Sequence, residues 1–308
     1  MVATTGAVAP ITRELSRLTG TRRLPRWGEA AADAILAGVP GARVSKVVPS
    51  QQLARPRPTG QPPDHWCFAR DEQVELPPAV VARIPGGRVV GGVGAVIAPP
   101  NTLLFDLSQY FGVRRPRQHP LYLRLRLPPV SQFPGTLGVL DCRGGDNYCH
   151  FLLDVLPRLG LLEAGGEGAV DGYYVPSRHP FQEELLAMVG IPGDRVLDNL
   201  AYRHLQASTL VVPSLPAPCL EIPPWTVSFL RGRLLGAAPD VPASRGRRIY
   251  VSRGRQRHSR RVDNEDQVVA TLARWGFEVV DTAAMTVRQQ IALFRDAQVV
   301  VAPHGAAL

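Results

Sequence analysis

Residues 245–308 hold three short β-type runs, "RRIYVS", "FEVVD" and "AQVVVAP", separated by two stretches of helical pattern, and few folds accept that order. Asn264 with Gln267 three residues later predicts a capping-box start for the first helix, and Gly276 marks its stop. Thr286 and Gln289 repeat the cap, and Val287, Ile291 and Phe294 form an i, i+4, i+7 stripe on the second helix. The terminal "HGAAL" is expected to open a third. Strand, helix, strand, helix, strand predicts one half of a doubly wound nucleotide-binding sheet.

Ligands of such sheets sit outside the carboxyl ends of the strands, which here means the loops "SRGRQRHSRR", "DTAAM" and "PHGAA". Residues 245–261 carry Arg245, Arg247, Arg248, Arg253, Arg255, Arg257, Arg260 and Arg261 and no acid. His304, Gly305, Ala306 and Ala307 stand at a helix start, where small residues let backbone N–H groups approach an anion and the helix dipole favours it. Arg253 with the "HGAA" turn makes a diphosphate cradle. Solvated arginines beside a merely tight turn are the alternative, and Arg255, Arg257 and Arg260 taken singly read that way.

Upstream, residues 137–236 alternate as well: "LGVLD", "GYYVP" and "STLVVPS" as strands, with helices over 147–163, "FQEELLAMVG" and "WTVSFLRGRLLG". The first of these helices, in "DNYCHFLLDVLPRLGLLE", is apolar almost all round and therefore buried, yet it carries His150, Asp154 and Arg158. His150 and Asp154 are i and i+4, one above the other on a single face. A buried carboxylate beside an imidazole is costly unless the two pair or face a cavity. The same spacing suits a satisfied core pair near a helix start capped by Asp146 or Asn147, and equally an acid–base pair at the wall of a cleft. Pro157 predicts a kink, because the Leu153 carbonyl loses its donor.

Residues 1–60 mix a helical possibility, "WGEAAADAILAG", with breaker-rich "VPSQQLARPRPTGQPPDH", which reads as an appendage and linker. "ARIPGGRVVGGVGAVIAPP" and "LYLRLRL" read as short β-type runs. The glycines of "GGVGAVI" fail as a dinucleotide fingerprint: Ile97 stands at the third glycine position and no helix follows into "APPN". The expected divisions are 1–60, an α/β domain over 61–238, and a nucleotide-binding domain over 239–308.

The net charge of +9 suggests an anionic partner, but Lys46 is the only lysine, and with 30 Pro and 29 Gly the arginines look like a genome-wide compositional bias. Cys67, Cys142, Cys149 and Cys219 form no CxxC pair, which argues against a disulfide framework or a structural zinc site, although Cys142, Cys149 and His150 are ligand types. No apolar leader and no membrane-length apolar run is present, so a cytoplasmic protein is expected, with peripheral contact at the inner membrane face left open.

"DNYCHFLLDVLPRL", "RRIYVSR", Asn264 with Glu265, "GFEVVD" and "VVVAPHGAAL", in that order, resemble the bacterial branch of the family 61 glycosyltransferases, from roughly residue 85 onward. The resemblance implies a GT-B architecture, two Rossmann-like domains with parallel sheets facing across a cleft, and inverting, metal-independent transfer from a nucleotide-sugar donor to a glycan or polysaccharide acceptor. No cofactor is implied. His150 and Asp154 would line the acceptor side with Asn147 and Arg158, and Arg253, Glu265, His304, Gly305, Ala306 and Ala307 would hold the donor. Glu265 suits a helix N-terminus equally well without any ligand. Relatives continue past "HGAxL" with further elements, so the C-terminal domain is expected to be incomplete.

Inverting transfer needs a base for the acceptor hydroxyl and protein groups to stabilise the departing diphosphate. Asp154, His150 or the two as a pair are the candidates for the base, and Arg253 with the 305–307 amides for the second task. Two other classes remain: a non-catalytic nucleotide- or polysaccharide-binding descendant, and a nucleic-acid binder. The second lacks a stacking platform, since Tyr250 is the only aromatic residue within 245–261.

Overall fold

The computed structural model describes residues 22–56, 72–167, 169–217, 221–237, 246–254 and 262–305. Cys67, Cys219, Arg255, Arg257, Arg260, Ala306, Ala307 and the expected third helix lie outside these residues.

The larger sheet has ten strands: β1 (Arg26–Trp27), β2 (Arg43–Val48), β5 (Ala79–Pro85), β6 (Arg88–Val90), β7 (Ala95–Ala98), β8 (Thr102–Leu103), β9 (Ser131–Val139), β10 (Gly172–Val175), β11 (Val196–Asp198) and β12 (His204–Pro213). A separate antiparallel pair, β3 (Gln51–Ala54) and β4 (Gln73–Leu76), lies beside it. Residues from Arg26 onward are no appendage: β1 pairs with β8 and β2 with β5 inside the main sheet. Nor is the sheet wholly Rossmann-like. β12, β9, β10 and β11 run parallel, whereas β5, β6 and β7 join by antiparallel pairing. The parallel half is where helices return between strands, as parallel pairing requires.

Arg43 and Arg83 face each other across β2 and β5, a like-charge pairing that Glu167 compensates by binding both, the second at 2.9 Å. "RVVGGVGAVIA" is the β6–β7 hairpin and has no phosphate-binding helix after it. Gly91 is there for space: a Cβ at this position would lie 2.0 Å from the Asn199 carbonyl oxygen.

"LYLRLRL" departs from expectation. Pro120 opens a 3-10 turn over Pro120–Leu123, and no strand forms. Leu121 and Leu127 are buried, while Leu123 and Leu125 point outward. Alternation signals a strand only where a neighbour pairs with it, and Pro120, Pro128 and Pro129 offer no N–H for pairing.

The helices are α1 (Ala32–Leu36), α2 (Tyr148–His150), α3 (Pro157–Ala164), α4 (Pro180–Met188), α5 (Pro224–Leu234), α6 (Glu265–Ala273) and α7 (Val287–Asp296). Between α2 and α3 the chain makes a wide π turn, Phe151–Val155, closed by Leu156 N–H to the Phe151 carbonyl at 3.0 Å. This is the form the expected break at Pro157 takes: the i→i+5 bond replaces the ladder that proline interrupts. No helix of the described residues is long and apolar enough to cross a membrane.

Residues 246–305 form the predicted unit. β13 (Arg247–Ser252), β14 (Phe277–Asp281) and β15 (Ala297–Val301) are parallel in the order β14-β13-β15, with α6 and α7 as crossovers. The Thr286–Gln289 capping box is present, with bonds of 2.9 and 3.2 Å. The Asn264 one is not. Asn264 Nδ2 donates to Gln267 Oε1 at 3.1 Å, and no side chain caps the α6 backbone. Asn264 adopts φ −109° and ψ 41°, away from the extended backbone typical of capping residues.

At the carboxyl ends of β9 and β12 sits a buried polar cluster. Arg158, 1% exposed, donates Nη1 to the Asp141 carbonyl at 2.8 Å and Nη2 to the Pro213 carbonyl. Asn199 Nδ2 donates to Asp141 Oδ1 at 2.8 Å, and Oδ2 of the same carboxyl is buried without a partner. Burial pushes the Asp141 carboxyl up to about 7, against the pull of Asn199 and Arg158. A carboxyl raised in the folded state holds a proton that the unfolded chain has lost, so it costs stability as pH rises from about 4, the unfolded value, to about 7. Asp141→Asn is expected to flatten the fall in melting temperature over that window, measured by thermal denaturation in a buffer series; an unchanged slope would remove Asp141 as its source.

Candidate functional site

The three loops singled out by topology meet at one cavity of about 410 Å³. Val251, Ser252 and Arg253 reach it from β13, Asp281, Thr282 and Ala283 from β14, and Ala302, Pro303 and Gly305 from β15. Parallel strands end together, and their carboxyl ends open a crevice that the helices do not cover. Tyr148, Pro180 and Phe181, on α2 and at the start of α4, close the opposite wall. The cavity therefore lies between the two sheets.

Arg253 is its cation. Nη1 donates to the His304 carbonyl at 3.0 Å, and among the described residues the guanidinium forms no ion pair with an acid. Gly305 is what makes room, since a Cβ there would stand 1.7 Å from Arg253 Nη1. Gln290, on α7, donates Nε2 to the Thr282 and Met285 carbonyls at 3.1 and 3.2 Å, and Asp281 accepts from Ala283 N–H at 2.9 Å; both hold the β14 loop in place.

On the facing wall Tyr148 packs edge to face with Phe181, ring centroids 5.1 Å apart. Burial, and secondarily Glu184, pushes its phenol up to about 12, so it remains a hydrogen-bond donor near neutral pH. Glu184 on α4 accepts from Val287 N–H at 2.8 Å and Arg288 N–H at 3.0 Å. One carboxylate of the first sheet's layer thus caps α7 of the second, where the helix dipole favours negative charge.

His150 and Asp154 do pair: Nδ1 and Oδ2 are 2.8 Å apart, with the side chains 28% and 13% exposed. The imidazole packs on Phe111, ring centroids 4.9 Å apart, and Arg143 lies over the same ring, 5.0 Å from its centroid. The pair does not line the cavity; Tyr148, two residues upstream, does. Asn147 caps the helix, its amide oxygen accepting from Cys149 and His150 N–H at 3.0 and 3.3 Å. Arg158 belongs to the buried cluster and not to the cleft, because it is 1% exposed and both its terminal nitrogens are bonded to strand-end carbonyls. Glu265 does not line the cavity either, and accepts from the Tyr250 hydroxyl at 2.9 Å. Only the backbone of His304 meets Arg253, its own side chain being among the exposed ones. Arg247 and Arg248 fall at the amino end of β13, on Glu278 and on the Trp275 carbonyl at 3.0 Å, well away from the crevice.

Tyr148, Phe181 and Gln290 were not foreseen, whereas Asp281 opens the "DTAAM" loop already named. An aromatic residue two positions before His150 at a capped helix start was the available signal for Tyr148; Phe181 and Gln290 come from distant segments and left none. Among the described residues no group of three His, Cys, Asp or Glu is placed to hold a metal ion, and Cys142 and Cys149 are free thiols.

The glycosyltransferase 61 family model matches residues 148–308, just over half of the chain. The chain belongs to this family. The matched region opens at Tyr148 on the cavity wall and contains the His150–Asp154 pair, α4 with Glu184 and the whole three-stranded unit. The protein is accordingly a glycosyltransferase, with a sugar donor and an acceptor. No curated protein matches the chain. In this glycosyltransferase the Glu184 cap braces the cavity between its two walls. Glu184→Ala is expected to cost about 1–2 kcal/mol, as for loss of a helix cap, in a denaturant melt, while Glu184→Gln, still a hydrogen-bond acceptor, recovers part of it.

Proposed function

We propose that this family 61 glycosyltransferase moves a sugar from a nucleotide-sugar donor to a glycan or polysaccharide acceptor, with inversion and without a metal, in a GT-B arrangement on the cytoplasmic side of the membrane. The observation that carries the reading is the cavity at the carboxyl ends of three parallel strands, holding an arginine that pairs with no described acid and walled across by aromatic rings. Its size suits a nucleotide diphosphate moiety, and Arg253 is the side chain that meets the diphosphate.

In the transfer the acceptor oxygen forms a bond to the anomeric carbon as the bond from that carbon to the diphosphate oxygen breaks. The hydroxyl proton leaves to a base, and the diphosphate carries away the electron pair. Asp154 holds His150 through Nδ1, which leaves Nε2 as the proton acceptor. His150 is then the base and Asp154 the group that orients it. Arg253 supplies charge to the departing diphosphate in place of a metal ion.

Arg253→Ala is expected to weaken nucleoside diphosphate binding by roughly 1.5–3 kcal/mol, the scale of a charge-assisted hydrogen bond, by calorimetry. Gly305→Ala acts in the same direction by displacing the guanidinium. Equal affinity in the wild type and both variants would take the donor out of this cavity.

His150→Gln and Asp154→Asn are each expected to cut transfer about 100-fold or more while leaving the melting temperature within a few degrees. A structural pair gives the reverse, collapse of stability with activity lost in proportion. The same transfer assay is expected to be insensitive to EDTA.

A further inference from the structure

We propose that the face built from residues 22–27 and 114–126, which the transfer reaction does not use, docks on an anionic membrane surface. The stretch 107–140 contains no Asp or Glu. Within it Arg114, Arg115, Arg117 and Arg126 are exposed, and none forms an ion pair with a described acid. Between these arginines stand Leu123, 88% exposed, and Leu125, 101% exposed, the two most solvated of the exposed large hydrophobic residues.

The leucines do not sit on a loose end. Leu121 and Leu127 on either side are fully buried, His119 Nδ1 accepts from Leu121 N–H at 3.2 Å, and Leu127 N–H donates to the Arg22 carbonyl at 2.9 Å. The tip is therefore held out by its own anchors. Trp27, 58% exposed, packs edge to face against Tyr122 with ring centroids 5.6 Å apart, which sets an indole beside the tip.

Leucines that protrude singly from a basic stretch without acids of its own match the boundary of headgroups and acyl chains, where apolar tips bury and guanidinium groups meet phosphates. Tryptophan is favoured at the same depth. A nucleic acid would reward the arginines and gain nothing from two naked leucines, and a second copy of this chain would bring the same positive charge to its partner.

The test is co-flotation of the full chain with vesicles of phosphatidylcholine alone and of phosphatidylcholine mixed with phosphatidylglycerol. The wild type is expected to float with the mixed vesicles only, and less so in about 0.5 M salt, where the Debye length is a few ångströms. Leu123→Ser with Leu125→Ser, and separately Arg114→Gln with Arg126→Gln, should each lower the partition at least about tenfold, on the scale of about fivefold per arginine. The leucine variant should melt as the wild type does. Equal flotation of the wild type and the leucine variant overturns the proposal. So does binding of an RNA oligomer without vesicle binding, or a dimer that the leucine variant abolishes. A clear fall in the variant's melting temperature would likewise overturn it, since the leucines would then be covered by the chain's own residues.

Discussion

Arg158 is the residue on which the arrangement of this protein turns. A guanidinium in the core is expensive unless its donors are met, and here two are met by the carbonyls of Asp141 and Pro213, at the ends of neighbouring parallel strands. The bonds fasten α3 to the place where β9 and β12 stop pairing. From that point the chain runs through Asp141, Cys142 and Arg143 to the Asn147 cap and the His150–Asp154 pair. Removing Arg158 would leave two buried carbonyls and a buried carboxyl without their cation, and the helix that carries the pair would lose its fixed point.

The two sheets meet through a small set of directional contacts. Glu184 places both carboxylate oxygens on the first N–H groups of α7, and Tyr148 and Phe181 reach from one wall into the crevice of the other. A helix terminus offers unsatisfied donors and a favourable dipole, so one acid from a neighbouring layer can fix both the position and the direction of a helix. The cavity owes its shape to this join as much as to the strands that line it.

The C-terminal unit was the legible part of the sequence because each strand and helix there carries its own period, cap or stop, and the topology follows from their order. The three loops at the carboxyl ends could be named for the same reason, and they converge on one cavity. The N-terminal sheet was less legible. Short strands such as β1, β8 and β11 have too few residues to show a period, and their pairing depends on partners far along the chain. "LYLRLRL" had the right period for a strand but no edge to join. Arg158 read as a cleft residue because a charge in an apolar run suggests function, and only the packing shows carbonyls waiting for it. Asn264 had the residue type for a cap and the wrong backbone angles, which no pattern of letters reports.

The wide turn at Phe151–Val155 accommodates one residue more than a regular helix would over the same rise. On one side of it stand His150 and the Asn147 cap; on the other stands Arg158, locked to the sheet. Each residue of an α-helix advances the azimuth by about 100°, so the turn works as a gear between two halves with separate obligations, one to the strand ends and one, through Tyr148, to the cleft. Deleting a single residue here would leave both halves helical and both sets of side chains intact in kind, yet turn the imidazole through that angle relative to its anchor. In this stretch chain length, and not only residue identity, is under constraint.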